Sequence, residues 1–215
     1  MTILKRIFVL IIFLSATLLS FGQVSVGAFG GLNSSRLSGD VPDNSSYKGL
    51  MGANVGAFID VKLAKSLAMS LQPSYSQEGT KISYIFSGQE KPVDSITIRL
   101  NYFSLPLLLK VTSTNKRFYA LGGVETAFLL DKYVSSHDVK EDIKTEVADL
   151  NIVMHFGAGF RIPLGYPTLF VELRYSQGLI NLTDEPVKES YIPRIKTNGF
   201  KILAGIEFPL TKPSK

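Results

Sequence analysis

The stretch NIVMHFGAGFRIPLGYPTLFVELRYSQG, residues 151–178, contains two runs in which apolar and polar residues alternate. In the first run, one face carries Ile152, Met154, Phe156, Ala158, Phe160 and Ile162, and the other carries Asn151, His155, Gly157, Gly159 and Arg161. In the second run, Leu169, Val171, Leu173 and Tyr175 oppose Phe170, Glu172, Arg174 and Ser176. A period of two with one apolar face is the signature of a β-strand. The stretch therefore predicts two strands joined by a short turn at 163–168.

The rest of the chain repeats this pattern. We predict eight strands, at 24–33, 50–62, 67–77, 95–111, 117–131, 150–162, 168–180 and 198–210. Each is near or above the roughly 9–11 residues that a tilted strand needs to cross a bilayer.

The fourth predicted strand alternates less regularly than the others. We assign Ile98, Leu100 and Tyr102 to its apolar face, which places Arg99 on the polar face. The apolar run at 105–109 then breaks the period. Because proline has no N–H for a sheet, we expect a bulge or register change near Pro106.

The connections between the predicted strands alternate in length. The long ones are 33–49, 78–94, 132–149 and 181–197, and the short ones are 63–66, 112–116 and 163–168. A barrel that spans a membrane has tight periplasmic turns at one end and long external loops at the other. We therefore predict an eight-stranded antiparallel up-and-down transmembrane β-barrel, with its apolar face on lipid and its location in the outer membrane.

A lipocalin-like barrel is the main alternative, because periodicity alone does not tell which face points outward. Such a protein would hold the apolar face inside, around an apolar ligand. The long strands, the unequal loops and a polar face that mixes glycine with charges of both signs favour the membrane barrel. The chain also has no tryptophan, which is the usual marker of a lipocalin first strand.

The N-terminus resembles a secretory signal peptide. Lys5 and Arg6 precede an apolar run at 7–19, and Ser20 and Gly22 are small residues at the −3 and −1 positions. The apolar run is shorter than the roughly 20 residues of a spanning helix. We predict cleavage before Gln23, a barrel domain over 23–210 and a short polar tail at 211–215.

Composition excludes several classes of function. The chain has no cysteine, which excludes a disulfide framework and a thiolate site. Its formal charge of +5 falls to +3 when Lys5 and Arg6 are removed. This small, scattered excess gives no argument for nucleic acid.

Charged residues on the polar face predict an ion network inside the barrel. The inward face also carries Asp60, Lys62 and His155, and we assign to the network Arg99, Glu125, Arg161, Glu172, Arg174, Lys201 and Glu207. An eight-stranded barrel is only wide enough for side chains to fill it, and buried charges need partners. A narrow conducting path or a small-solute site is the alternative.

No residue pattern predicts a cofactor, a metal site or an enzyme. His155 is a lone histidine on the polar face, and His137 lies beside Asp138 in a polar predicted loop. Ser135, Ser136 and His137 are adjacent, but neighbouring side chains on a strand point apart. We predict no catalytic residues.

Several segments resemble the PorT-like family of small outer-membrane barrels of Bacteroidetes. They are YFSLPLLLK at 102–110, YALGGV at 119–124, GAGF at 157–160, ELRYSQGLIN at 172–181 and GIEF at 205–208. The resemblance implies an eight-stranded outer-membrane barrel, and one family member is linked to protein secretion and gliding. Gly205, Phe208 and Leu210 also resemble the signal read by the outer-membrane insertion machinery, although the chain continues beyond Leu210.

Together these observations predict a non-enzymatic barrel with a structural or recognition role at the cell surface, or in support of secretion. The expected partners are outer-membrane lipid, the insertion machinery and an extracellular or periplasmic protein. A secreted carrier of an apolar ligand and a lipid-modifying membrane enzyme are the alternatives.

Overall fold

The computed structural model describes residues 23–39, 45–84, 94–135, 148–180 and 195–210. The strands are β1 (Val24–Gly39), β2 (Ser45–Lys62), β3 (Leu67–Leu71), β4 (Ser74–Tyr84), β5 (Asp94–Thr112), β6 (Phe118–Ser135), β7 (Leu150–Pro163), β8 (Thr168–Gly178) and β9 (Ile195–Pro209). They pair antiparallel in one sheet, and β1 pairs with both β2 and β9. The sheet is therefore a closed barrel, as predicted.

Strands β3 and β4 together form one stave of the barrel. Both pair with β2 on one side and with β5 on the other. The register with β5 is the same before and after the interruption at 72–73, since Leu71 lies opposite Leu107 and Ser74 lies opposite Ser104. Counted in this way, the described strands form eight staves, which agrees with the predicted number.

The expected register change at Pro106 is wrong. Strand β5 pairs regularly with β6 through this point, with Pro106 opposite Glu125. The register shifts instead beside Asn101, where Leu130 of β6 has no opposite residue. Pro106 accepts a hydrogen bond from the Gln72 N–H at 3.0 Å, so its missing N–H faces the interruption at 72–73. The neighbouring stave, rather than β5, accommodates the proline.

The apolar face of the barrel points outward. On β9, for example, Phe200 and Ile202 are 57% and 60% exposed, whereas Lys201 and Leu203 between them are 3% and 1% exposed. The same alternation holds on β2, β7 and β8, as the sequence predicts. A lipocalin-like carrier would bury its apolar face, so the structure contradicts that alternative.

The strands continue beyond the membrane at the end where the long connections lie, here called the loop end. Strands β2, β5 and β6 have 18, 19 and 18 residues, well above the roughly 9–11 needed for crossing. The predicted loops 33–49 and 78–94 are therefore too long, because β1 continues to Gly39 and β4 to Tyr84.

The opposite end, here called the turn end, has connections at 63–66, 113–117 and 164–167. Both ends of the barrel domain meet there, since Ser25 lies opposite Pro209. Short turns face the periplasm in outer-membrane barrels. In the part of the chain that the structure describes, no helix is long and apolar enough to cross a membrane. The predicted signal peptide, the polar tail and the pair Ser136 and His137 lie outside the described residues.

Candidate functional site

The polar lumen of the barrel is the candidate site, because the titratable side chains that are buried lie there. They form three layers along the barrel axis. The turn-end cluster contains Asp60, Lys110, Arg161 and Glu207, the mid-lumen cluster contains Gln72, Tyr119, Glu172 and Arg174, and the loop-end cluster contains Glu78, Glu125, His155 and Lys201.

The turn-end cluster joins four strands through two acids and two cations. Lys110 Nζ lies 2.8 Å from Asp60 Oδ2, and Arg161 Nε lies 3.1 Å from Glu207 Oε2. Arg161 Nη2 is also 3.9 Å from Asp60, which connects the two pairs. The Arg161 guanidinium stacks on the Tyr119 ring, 4.5 Å from its centroid. The cluster therefore closes the lumen just above the turn end.

The mid-lumen cluster is built around a carboxylate and a guanidinium on one strand. Glu172 and Arg174 are two residues apart on β8, so both point inward, and they form a buried ion pair. The Tyr119 hydroxyl donates to Glu172 at 2.7 Å, and Arg174 Nη2 donates to Gln72 Oε1 at 2.6 Å. Each charge thus has a partner on another strand, which links β6, β8 and the stave of β3 and β4.

The loop-end cluster is a chain of ionisable groups on four strands. His155 Nε2 lies 2.8 Å from Glu125 Oε2, and Lys201 Nζ lies between Glu78 at 3.2 Å and Glu125 at 3.6 Å. Ser104 donates to Glu125 at 2.9 Å. A nearby cavity has a volume of about 10 Å³, enough for about one water molecule.

Apolar side chains fill the space between the polar layers. Phe29, Phe58, Phe170 and Leu203 pack together, as do Leu108, Tyr119 and Leu121. Lys110 Nζ lies 4.8 Å from the centre of the Phe58 ring. The lumen is therefore packed with side chains, as expected for a barrel of eight staves.

The structure places six of the seven predicted network residues inside the lumen: Glu125, Arg161, Glu172, Arg174, Lys201 and Glu207. The inward assignment of Arg99 is wrong. Arg99 is exposed on the outer face, and its neighbours Leu100 and Tyr102 are buried inside. The apolar band of the barrel is the belt of exposed apolar side chains, which on β5 includes Phe103, Leu107, Leu109 and Val111. Arg99 lies beyond this band, toward the loop end, where the exposed residue is charged and the apolar Leu100 points inward.

Sequence reasoning missed several members of the clusters. Glu78 falls in the predicted loop 78–94, but it lies within β4. Lys110 follows the run at 105–109, in which both faces are apolar. The sequence therefore contains no alternation that would tell whether the Lys110 side chain points inward or outward. Gln72 and Tyr119 carry no charge, and their role follows only from the strand pairing. Asp60 is the exception, since the alternation on β2 does place it inward.

One buried arrangement contains the residue types of a hydrolase triad. Ser176 Oγ lies 3.1 Å from His155 Nδ1, and His155 Nε2 lies 2.8 Å from Glu125. A nucleophilic serine must reach a substrate carbonyl. All three side chains are buried in the lumen, with Glu125 and His155 at 1% and 0% exposure and Ser176 at 6%. Among the described residues, no group of three or more His, Cys, Asp or Glu side chains is placed to hold a metal ion.

A closed antiparallel barrel with an apolar outer face and a charged interior defines an integral outer-membrane β-barrel protein. The chain belongs to the family described as outer membrane protein beta-barrel domain, whose model matches residues 16–184. No curated protein matches the chain.

Several solved structures are similar to this chain. Ail, the attachment invasion locus protein of Yersinia pestis, is 15% identical with a TM-score of 0.44, over 86% of this chain and 99% of its own. The outer membrane protein AlkL is 12% identical with a TM-score of 0.45, over 90% and 92% of the two chains. OprG from Pseudomonas aeruginosa is 11% identical with a TM-score of 0.42, over 89% and 97%.

Proposed function

We propose that this protein is a non-conducting, non-enzymatic outer-membrane barrel that presents its loop end at the cell surface as a recognition surface. The observation that carries the proposal is the filled lumen. Three layers of paired charges and the apolar packing between them occupy the interior between the turn-end cluster and the loop-end cluster.

The pairing of the lumen charges argues against a solute pathway. Glu172, Arg174 and Lys201 are each at most 3% exposed. A solute that passed them would have to separate ion pairs in a low-dielectric interior, where an unpaired charge costs several kcal/mol. Selective pores instead leave their charged groups accessible to the passing ion.

The loop end provides a rigid base for recognition. Strands β5 and β6 remain paired up to Thr97 and Ser135, in an extension at the loop end of the barrel. Inside this extension, Leu100, Tyr102 and Ala127 form a small apolar core. Binding residues are commonly carried by loops that a rigid scaffold positions, and this extension is such a scaffold.

The finer family assignment is also part of the proposal. The PorT-like segments, among them YFSLPLLLK at 102–110 and ELRYSQGLIN at 172–181, support a Bacteroidetes barrel of that kind. The partner is then a protein at the cell surface or in the periplasm, and support of protein secretion is one form of the role. The lipid-modifying alternative has weaker support, because Ser176 is buried.

The test compares the loops with the lumen. One variant replaces residues 136–147 and 181–194 by short Gly-Ser linkers, and a second carries Glu207→Gln in the lumen. Both are produced in a strain that lacks the native gene, and purified protein is examined for ion conduction in planar bilayers.

We expect no conductance steps from the wild-type protein, loss of the cellular phenotype in the loop variant and its retention in the Glu207→Gln variant. Discrete conductance from the wild type, together with full function of the loop variant, would overturn the proposal. Heat-dependent mobility in gels verifies that each variant is folded and inserted.

A further inference from the structure

We propose that the turn end of the barrel contains a binding site for a small multivalent anion with phosphate or carboxylate groups. The site is a cavity, here called the vestibule, that opens between the first two turns and the ends of β7 and β9. Its volume is about 540 Å³, within the roughly 300–1,000 Å³ of known small-molecule sites.

The charges that line the vestibule are mainly positive. The cations are Lys62, Lys65, Lys116, Arg117 and Arg161, and the acids are Asp60 and Glu207. Both acids already have partners, because Asp60 binds Lys110 at 2.8 Å and Glu207 binds Arg161 at 3.1 Å. These pairs neutralise the floor of the cavity and leave the cations of the rim without a counter-charge.

The rim cations lie on two adjacent turns. Lys65 belongs to the turn at 63–66, and Lys116 and Arg117 belong to the turn at 113–117. Neither Lys65 nor the other two form an ion pair with any described residue, and all three are exposed. Strands β3 and β5 pair directly, so these two turns lie side by side. Several cations that converge on one cavity favour an anionic ligand.

The backbone at Lys116 is an independent indication. Its φ is 59°, and it is the one residue other than glycine with a positive φ in the described part of the chain. This left-handed conformation favours glycine or asparagine, and another residue there lowers stability. Residues other than glycine that are held in such conformations cluster at active sites and ligand-binding sites.

Hydrogen bonds hold this second turn in one shape. Asn115 Oδ1 accepts from the Arg117 N–H at 3.0 Å, and Ser113 Oγ accepts from the Phe118 N–H at 3.1 Å. The Lys116 N–H donates to the Ser113 carbonyl at 2.9 Å. The turn therefore presents Lys116 and Arg117 from a fixed backbone, which reduces the entropy lost on binding.

The ligand chemistry follows from the donors. Arginine binds phosphate and carboxylate through a planar pair of N–H groups, and lysine adds point charges. Two sources supply such groups at this end of the barrel. One is a soluble anion of the periplasm, and the other is the phosphate of a lipid headgroup in the adjacent leaflet.

The experiment measures the binding of inorganic pyrophosphate to the purified protein in zwitterionic micelles by titration calorimetry at low ionic strength. The test variant is Lys65→Gln/Lys116→Gln/Arg117→Gln. The matched control is Lys48→Gln/Lys81→Gln/Arg99→Gln, which removes the same charge from exposed positions at the loop end.

We expect binding to the wild type, a loss of about tenfold or more in the test variant and a change below about twofold in the control. Equal losses in both variants would mean attraction to net charge only and would overturn the proposal, as would the absence of binding to the wild type. The unfolding midpoints of both variants establish that the barrel is intact.

The source is resolved by repeating the titration in nanodiscs. If phosphatidylglycerol competes with pyrophosphate and phosphatidylcholine does not, the site takes lipid headgroups. If pyrophosphate binds equally in both membranes, the site takes a soluble anion. Either result supports the vestibule as an anion site, and loss of binding in both kinds of nanodisc contradicts it.

The single variant Lys116→Gly separates charge from backbone. Glycine removes the unfavourable backbone conformation, so the unfolding midpoint should stay equal or rise. The affinity for pyrophosphate should fall in the same variant. Unchanged affinity would show that Lys116 does not bind the anion and would contradict its place in the site.

Discussion

The part of β5 within the apolar band and its extension at the loop end follow opposite rules of polarity. In the band, Leu107 and Leu109 point outward, and Lys110 points inward. In the extension, Arg99 points outward, and Leu100 is buried inside. The direction of the side chains does not change along β5, because the even-numbered residues from Ile98 to Lys110 all point inward. What changes is the medium outside the wall, which is lipid in one region and water in the other.

The alternation of apolar and polar residues along a strand therefore does not by itself determine which face points into the barrel. An apolar residue faces lipid within the bilayer and faces the core beyond it. The four predictions below test where the change occurs and what holds each region together.

The largest loss of stability is expected when a buried charge in the lumen is neutralised within the part of the barrel that the apolar band surrounds. Glu172→Gln leaves the Arg174 guanidinium without its counter-charge and should destabilise the barrel by about 3–5 kcal/mol. Urea unfolding in lipid vesicles measures the change. The double variant Glu172→Gln/Arg174→Met should lose less than the sum of the two single variants. Strictly additive losses would show that the buried ion pair is not coupled.

A charge on the outer face of the band should have the next largest effect. Leu107→Arg and Val171→Arg expose a cation to lipid and should each cost about 2–4 kcal/mol near the middle of the membrane. The matched variant Arg99→Leu lies on the same face of β5 but beyond the band, and we expect it to insert normally. If Arg99→Leu blocks insertion and Leu107→Arg does not, the position of the band is wrong.

The core of the extension should contribute a smaller amount. Leu100→Ala removes a buried side chain from the group with Tyr102 and Ala127, and we expect a loss of about 2 kcal/mol. Insertion into the membrane should remain normal, because this residue lies outside the band. Failure of insertion in this variant would show that the core of the extension is required for assembly of the membrane-spanning part.

Protease access distinguishes the two ends without changing stability. On intact cells, we expect trypsin to cut after Lys140 or Lys144, which belong to the third predicted loop. Lys65 and Lys116, in the short turns, should be protected until the outer membrane is opened. Cleavage at the short turns of intact cells would reverse the orientation of the barrel.

Much of the fold follows from the sequence, because alternation survives wherever one face meets lipid and the other meets the lumen. The runs at 152–162 and 169–175 predict both strand and facing correctly. The rule fails at Arg99, because this residue lies beyond the apolar band, where a charged side chain can point outward. Glu78 was missed because polar residues near a strand end look like a loop.

The pairing of the charges requires the closed barrel. Arg161 binds Glu207 and approaches Asp60, and these residues come from β7, β9 and β2. Their proximity depends on how β1 joins the two ends of the sheet. No short-range pattern in the sequence contains this information, since the partners are far apart along the chain.

The interruption at 72–73 has a consequence for the wall itself. Pro73 and Pro106 each lack one donor, and both gaps fall at this one place: Ala57 N–H donates to Pro73 at 3.1 Å, and Gln72 N–H donates to Pro106 at 3.0 Å. Each proline therefore accepts one backbone hydrogen bond from the residue opposite but donates none in return. A lipid environment offers no water to repair a broken ladder. By placing these two missing donors side by side, the chain confines both gaps in the backbone hydrogen bonding to one place in the wall.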